Sequence, residues 1–169
     1  EPTFLLSYAE QCFIIAEGIL RGWTNGDAKT FYDQGVQAAL QFTAYYTPDN
    51  SSYHHGRKIT TDVINTYLTA DGVAFSGTLE EKLQKIFQQR YFMGFMQDGW
   101  NTYYEYRRTG YPVMPINEST NQNSDKTKMP VRWMYPEKEL SYNRANVEEA
   151  INRQFNGNDD VNELMWILK

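Results

Sequence analysis

The first hydrophobic pattern along the chain predicts a helical hairpin. Residues 2–21 predict an amphipathic helix with one apolar stripe, and Gly22 is placed to end it. The stripe consists of Leu5, Ala9, Cys12, Ala16, Ile19 and Leu20. Asp27 is a suitable N-cap for a second helix that runs to about Tyr46. The pair has roughly the size of one tetratricopeptide repeat, and the chain contains no second copy of it.

Three further helical segments follow the hairpin. Residues 47–58 lack apolar periodicity and predict a surface loop, after which a short helix covers about 61–70. The segment 78–81, Thr-Leu-Glu-Glu, predicts a capping box at the start of a longer helix. That helix is expected to break near residues 98–99 and to resume as far as Thr109.

The helical period disappears in residues 111–142. Four prolines rule out a continuous helix there: Pro112, Pro115, Pro130 and Pro136. A last helix is predicted from an Asn146 cap to about Phe155, with Gly157 ending it. Strand signals are almost absent, so the predicted fold class is all-α with a long irregular C-terminal segment. The length favours a single domain over residues 1–169.

Composition and charge exclude several classes of protein. A net charge of −5 argues against a nucleic-acid partner, because such partners require clustered cations. Cys12 is the sole cysteine, so an internal disulfide is excluded and a zinc site of the usual Cys/His type is disfavoured. The longest apolar runs, 4–6 and 12–16, are far shorter than the roughly 20 residues that span a bilayer. The chain opens at Glu1-Pro2 without a signal-peptide pattern, which suggests a piece of a longer precursor.

Two glutamates on the first helix are the strongest candidates for acid/base chemistry. Glu10 and Glu17 lie on one helix face about 10 Å apart, somewhat beyond the spacing of glycosidase carboxyl pairs. We interpret them as partly buried carboxylates paired with arginines or backbone amides, for which Arg107 and Arg108 are plausible partners. The alternative is a glycan-active hydrolase that uses Glu10 or Glu17.

The remaining polar motifs carry little chemistry. His54 and His55 lie in a predicted loop without a carboxylate cluster or third histidine, so we expect solvated side chains rather than a metal site. Residues 156–160 are rich in oxygen atoms but do not match the spacing of a calcium loop, and predict a turn. Cys12 belongs to the apolar stripe and is expected to be buried and unreactive. We therefore predict no metal, no cofactor and no catalytic residue.

Aromatic side chains near loops are the candidates for ligand binding. The chain is 15% aromatic and has 13 tyrosines, and rings beside loops either stack on sugar faces or cover the ends of the core. These candidates are Trp23, Tyr45, Tyr46, Tyr53 and Trp133. A separate block, residues 99–112, combines one Trp, four Tyr and the pair Arg107-Arg108. It is either a helix with its rings in a core or the wall of a stacking site.

The order of the segments resembles the SusD/RagB family of outer-membrane nutrient-binding lipoproteins. The shared landmarks are Tyr8-Ala9-Glu10, Ala16-Glu17, Ile86 to Tyr91, the block from Gly99 to Pro112, Pro130-Val131-Arg132, Tyr135-Pro136, Glu139, Asn143 and Trp166. They extend over nearly the whole chain. The Trp-to-Arg-Arg-Thr-Gly-Tyr-Pro block, followed by the Pro-x-Arg and Tyr-Pro-x-x-Glu elements, is the most specific part of the resemblance.

The resemblance implies a fold and a function. It implies an α-α superhelix with tetratricopeptide-like hairpins, which binds a glycan or another nutrient at the cell surface without being an enzyme. Such proteins act in polysaccharide utilisation and nutrient uptake, together with a SusC-type TonB-dependent outer-membrane transporter. Family members are longer and carry an N-terminal lipidated cysteine, so this chain resembles their C-terminal part. Cys12, inside a helix, is not that lipid anchor.

The same resemblance implies structural roles for most of the landmark residues. Trp100 and Tyr104 would pack in the core, while Arg107 and Arg108 would hold Glu10, Glu17 or chain carbonyls. The other members of this structural signature are Arg132, Tyr135 and Pro136. Ligand-binding residues cannot be transferred from the family. A helical-repeat interaction module without a small ligand is a further alternative to nutrient binding.

Overall fold

The structure is a computed structural model that describes residues 5–95 and 97–168. Its Cα positions form two compact units, Glu1–Tyr106 and Arg107–Lys169. The described residues contain eight α-helices: α1 Tyr8–Leu20, α2 Ala28–Tyr46, α3 Ser51–His54, α4 Thr61–Thr69, α5 Leu79–Gly94, α6 Gly99–Thr109, α7 Glu137–Tyr142 and α8 Arg144–Phe155. A single 3₁₀ turn, Trp166–Leu168, follows them. The described residues contain no strand, and the all-α prediction is confirmed. None of the helices within these two ranges is both long and apolar enough to cross a membrane.

The core of the first unit lies where α1 packs against α2 and α5. Its largest fully buried side chains are Phe13, Tyr32, Val36, Ile86 and Phe87. Gly35 permits the close approach of α1 and α2, because a Cβ atom at this position would lie 2.7 Å from Cε1 of Phe13. The hydroxyl of Tyr32 donates a hydrogen bond to the carbonyl oxygen of Val73 at 2.8 Å, so its polar end is satisfied inside the core.

Capping side chains set where the helices of the first unit begin. Helix α1 begins at Tyr8 rather than at residue 2, because the Ser7 side chain accepts the backbone N–H of Glu10 at 3.0 Å. Leu5 therefore precedes the helix and is fully exposed, and its predicted place in the stripe was wrong. The predicted residues 2–4 lie outside the described residues. The Asp27 cap of α2 is confirmed.

The predicted capping box of α5 is confirmed. The Thr78 hydroxyl accepts the backbone N–H of Glu81 at 3.2 Å, and the Glu81 carboxylate accepts the backbone N–H of Thr78 at 2.7 Å. The expected break after this helix is also confirmed, since α5 ends at Gly94 and α6 begins at Gly99. The predicted loop 47–58 was only partly right, because it contains the one-turn helix α3.

The second unit combines irregular chain with the short helices α7 and α8. Pro136 occupies the N-cap position of α7, a helix that the proline pattern did not reveal. Helix α8 begins at Arg144, so the predicted Asn146 cap was wrong: Asn146 lies in the first turn and donates its amide to Asn143 Oδ1. The irregular chain is held through backbone bonds, in which Val131 and Arg132 both donate to the Val161 carbonyl. The prediction of a single domain over residues 1–169 stays a prediction.

Candidate functional site

The end of α2 and the chain that follows it form a pocket of about 440 Å³, which we call the α2–α4 pocket. Small-molecule sites occupy about 300–1,000 Å³, so the pocket has the size of one. The side chains important for its chemistry are Asp49, Tyr53, His54, Arg57, Lys58 and Ile59. All of them lie in the first unit.

Local backbone signals fold this segment back on itself. Helix α2 ends just before Pro48, which has no backbone N–H, and the Asn50 side chain then caps α3 by accepting the N–H of Ser52 at 2.8 Å. The one turn of α3 ends at His55 in the left-handed conformation, with φ of 47°, and Gly56 follows with φ of 74°. Two successive left-handed residues reverse the chain and return it to the pocket.

Asp49 is the electrostatic centre of the pocket. Lys58 Nζ and His54 Nε2 both approach Asp49 Oδ1, the imidazole at 3.4 Å. The ammonium of Lys58 donates to this carboxylate and lowers the pKa of Asp49. The other imidazole nitrogen, His54 Nδ1, accepts the backbone N–H of Gly56 at 3.0 Å, so the ring proton lies on Nε2 and points at Asp49. The prediction of a solvated His54 was wrong: its side chain is only 13% exposed and is held at both nitrogens.

Two side chains of the pocket are open to a ligand. Tyr53 is 64% exposed and presents a ring to solvent. The Arg57 guanidinium is exposed too, and among residues 5–95 and 97–168 it has no hydrogen-bond or ion-pair partner. The pocket thus combines a ring face, a fixed acceptor at Asp49 and free guanidinium donors. This combination suits a polar ring molecule with both an apolar face and hydrogen-bonding edges.

The aromatic candidates from the sequence lie in different places. Tyr53 lines the pocket. Tyr46 lies on the last turn of α2, where its ring contacts those of Tyr45 and Phe42 at centroid distances of 4.9 and 4.5 Å. Neither Tyr46 nor the remaining two candidates are among the pocket residues. Trp23 is 72% exposed in the turn after α1 beneath the Arg21 guanidinium, and Trp133 is 62% exposed in the second unit.

Glu10 and Glu17 belong to a buried charge network around Arg90, which we call the Arg90 cluster. The guanidinium of Arg90, on α5, lies 3.2 Å from Glu10 Oε1 and 4.0 Å from Glu17 Oε2, both on α1. It also lies 3.0 Å from Glu105 Oε2, on α6. Arg90 and these glutamates have side chains between 5% and 13% exposed. One arginine therefore joins carboxylates from two different helices.

Further donors complete the Arg90 cluster. Asn101 donates its side-chain amide to Glu10 Oε1 at 2.9 Å, and Arg21 donates to Glu17 Oε1 at 2.7 Å. Each predicted acid/base glutamate is thus fixed by hydrogen bonds in a largely buried position, which favours a role in holding the helices together over hydrolysis. Arg90 was missed as the partner because it is 80 positions away from Glu10, and spacing carries no signal at that distance.

The predicted core packing of Trp100 and Tyr104 was wrong. The two residues are 60% and 51% exposed, and their rings stack on each other at a centroid distance of 6.4 Å. The inward face of α6 instead carries Asn101 and the buried Glu105, which belong to the Arg90 cluster. Positions 100 and 104 share the adjacent helix face, about 100° away from this one.

The tandem arginines at the end of α6 lie in the second unit. Arg107 Nη2 is 3.4 Å from the sulfur of Met165. The pairing of Arg107 and Arg108 with Glu10 or Glu17 stays a prediction.

Arg132 is the buried charge of the second unit. Only 4% of it is exposed; Nη2 is paired with Asp159 Oδ1 at 2.5 Å, and Nη1 donates to the Asp160 carbonyl at 2.9 Å. The guanidinium carbon lies 3.9 Å from the ring centroid of Phe155. Asp159 also accepts the backbone N–H of Tyr135 at 3.0 Å. The oxygen-rich turn therefore serves protein groups, and no group of three His, Cys, Asp or Glu suited to a metal occurs in the part of the chain that the structure describes.

Comparison with known families and structures identifies similar proteins. Residues 1–136 match the SusD-like family, which is described as starch-binding and associating with the outer membrane. A SusD homologue from Bacteroides fragilis is 50% identical, with a TM-score of 0.89 over 100% of this chain and 36% of its own. A Bacteroides vulgatus protein, described as an outer-membrane protein with an inferred role in nutrient binding, is 37% identical, with a TM-score of 0.82 over 100% and 35%.

A more distant structure adds a ligand. A chitin-binding SusD homologue from Flavobacterium johnsoniae is 26% identical and has a TM-score of 0.65 over 95% of this chain and 36% of its own. This chain thus spans little more than a third of the length of these relatives. No curated protein sequence matches the chain.

Proposed function

The chain belongs to the SusD-like family, and on that premise we propose that the protein binds a glycan nutrient at the outer membrane without reacting with it. The observation that carries the proposal is the α2–α4 pocket. A ring with one face open, Tyr53, lies in the same pocket as the fixed carboxylate of Asp49 and the guanidinium of Arg57. Sugars are recognised by this pairing of a ring face with hydrogen-bonding groups.

In the proposed complex, one sugar ring stacks on Tyr53 while its hydroxyl groups donate to Asp49. Lys58 and His54 already contact Asp49 before the ligand arrives, which limits the orientations open to its carboxylate. Pre-organisation of this kind limits the entropy lost on binding. Catalysis is not part of the proposal, because Glu10 and Glu17 are occupied in the Arg90 cluster.

The cellular role that we propose follows from the family. The protein would be a surface-exposed lipoprotein that passes an oligosaccharide to a SusC-type TonB-dependent transporter. Its membrane association would depend on a lipid anchor. Support for this placement comes from the family description, which names the outer membrane, and from the B. vulgatus relative.

The Tyr53→Ala variant tests the binding site. Loss of one stacked ring removes about 0.5 to 1.5 kcal/mol of binding free energy, up to about tenfold in Kd. Isothermal titration of the purified protein, with ligands chosen from a glycan array, measures the change. Tyr142→Ala is the matched control, since Tyr142 is 90% exposed and lies in the second unit. Unchanged glycan affinity in Tyr53→Ala at an unchanged melting temperature would remove this pocket from the proposal.

A further inference from the structure

We infer that the α2–α4 pocket selects glycans that carry a carboxylate, and that Arg57 makes this selection. The inference rests on the proposed function and narrows its ligand from glycans in general to oligosaccharides that contain uronic acid. The observation behind it is an exposed guanidinium in a pocket whose other charges already have partners.

The charges of the pocket leave one cation available. Asp49 pairs with Lys58 and receives the proton-bearing nitrogen of His54. The negative charge of Asp49 is therefore already compensated, and Asp49 does not pair with the Arg57 guanidinium. That guanidinium has no partner of its own in residues 5–95 and 97–168. With His54 neutral, the pocket carries one positive charge in excess, although the chain has a net charge of −5.

The positive charge of Arg57 is important for binding an acidic sugar because the chain as a whole is negatively charged. A net negative chain repels a polyanionic glycan at long range, and the repulsion is screened beyond about 8 Å at physiological ionic strength. Binding an acidic sugar therefore requires a positive group at the contact itself. Arg57 provides such a group at the wall of the pocket.

The geometry of the Arg57 side chain also suits a carboxylate. A guanidinium is planar and presents parallel N–H donors, which match the two oxygens of a carboxylate. The sugar ring that bears the carboxylate has an apolar face, for which Tyr53 is available. Asp49 accepts hydroxyl groups of the sugar, which leaves the acidic end of the sugar to Arg57.

The test compares paired ligands that differ only in whether the sugar carries a carboxylate or a neutral hydroxymethyl group. The purified protein is titrated calorimetrically with a panel of uronic acid oligosaccharides, each beside its carboxyl-reduced neutral counterpart. Sulfated oligosaccharides without uronic acid are titrated as well. We expect the acid form to bind on the order of tenfold more tightly at low salt, with the ratio falling as salt is added. Arg57→Gln should abolish the ratio, because it lowers affinity for the acid form far more than affinity for the neutral form.

A second variant and a control keep the test independent of folding. Arg57→Lys keeps the charge without the planar donors, so it should retain part of the preference even if Arg57→Gln proves unstable. Arg153→Gln removes the same charge from an exposed position of the second unit and should change nothing. The melting temperature of each variant is measured alongside.

The possible outcomes separate this inference from the proposed function. Equal affinity for acid and neutral forms, with loss of binding in Tyr53→Ala, would overturn the inference and leave the function standing. Tighter binding of the sulfated ligands than of the uronic acid ligands would mean that the pocket selects sulfate, which would also overturn the inference. A preference that persists in Arg57→Gln would exclude Arg57 as its source. Binding of none of the ligands would contradict the function itself.

Discussion

The two units of the protein each bury an arginine, and they use it differently. Arg90 sits on a regular helix, and its partners are carboxylates that other helices bring to it. Arg132 sits in irregular chain, and its partners are a turn aspartate, a carbonyl oxygen and the ring of Phe155. In the first case the apolar core already positions the helices, and the arginine neutralises the charges that they carry inward.

In the second unit the arginine does more of the packing. The buried apolar side chains described there are Pro112 and, on α8, Val147, Ile151 and Phe155. The Arg132 side chain joins them from the irregular chain by covering the Phe155 ring. In the first unit, where apolar helix faces form the core, the buried guanidinium serves as a charge partner. In the second unit the buried guanidinium is itself part of the core.

The largest expected effect comes from removing the charge partner. Arg90→Met leaves Glu10, Glu17 and Glu105 without their shared cation, and we expect a loss of about 3–5 kcal/mol in the free energy of unfolding. Urea unfolding measures it. Lys29→Met, which breaks an exposed ion pair on α2, should lose about 0.5 kcal/mol or less. A loss below 1 kcal/mol in Arg90→Met would mean that the cluster is not held by this arginine.

A smaller effect tests whether Arg132 is part of a core. Arg132→Lys keeps the charge but loses the forked donors and the flat contact with Phe155, at a cost of about 1–2 kcal/mol. Hydrogen exchange should rise in backbone amides of residues 129–161. The same substitution at Arg90, for which residues 5–95 and 97–168 provide no ring contact of this kind, should cost less. Equal losses at the two sites would erase the distinction between the units.

The smallest effect concerns a helix end of the first unit. Thr78→Ala removes one half of the capping box of α5 and should cost about 1 kcal/mol. Thr43→Ala, on α2, is the control without a cap to lose.

The backbone N–H of Thr78 lowers the pKa of Glu81, so the contribution of Glu81 to stability is present at neutral pH and is lost as pH falls through its pKa in the folded protein. Thermal unfolding at neutral and acidic pH checks the cost of Thr78→Ala and the pH dependence of the Glu81 contribution. If the melting temperatures of wild type and Glu81→Gln differ by the same amount at both pH values, the predicted pH dependence is wrong.

Local signals allowed the helices to be predicted, and their absence explains the errors. Asp27 and Thr78 are caps adjacent to the helices that they start, so both were found. Ser7 was overlooked because apolar residues continue the stripe on both sides of it. Helices α3 and α7 are too short to show a hydrophobic period.

The site was harder to predict than the fold. Periodicity identifies neighbouring stripes on α6 but does not indicate which of them faces inward. The polar stripe of Asn101 and Glu105 faces inward because it belongs to the Arg90 cluster. In the pocket, Tyr53 was found as a ring beside a loop, whereas Asp49, Arg57 and Lys58 were not. The signal that could have identified them is the placement of opposite charges at the two ends of this segment. Asp49 precedes the cap of α3, and the cations Arg57 and Lys58 follow its left-handed end.

The contact between Gly35 and the Phe13 ring has a consequence for how such a sequence can drift. A side chain at position 35 has no room while a benzene ring occupies position 13. The two positions must therefore change as a pair, with the smaller residue at 13 arising before any larger one at 35 is tolerated. In a collection of related sequences, this pair should covary, and a chain with bulk at both positions should have its first two helices farther apart.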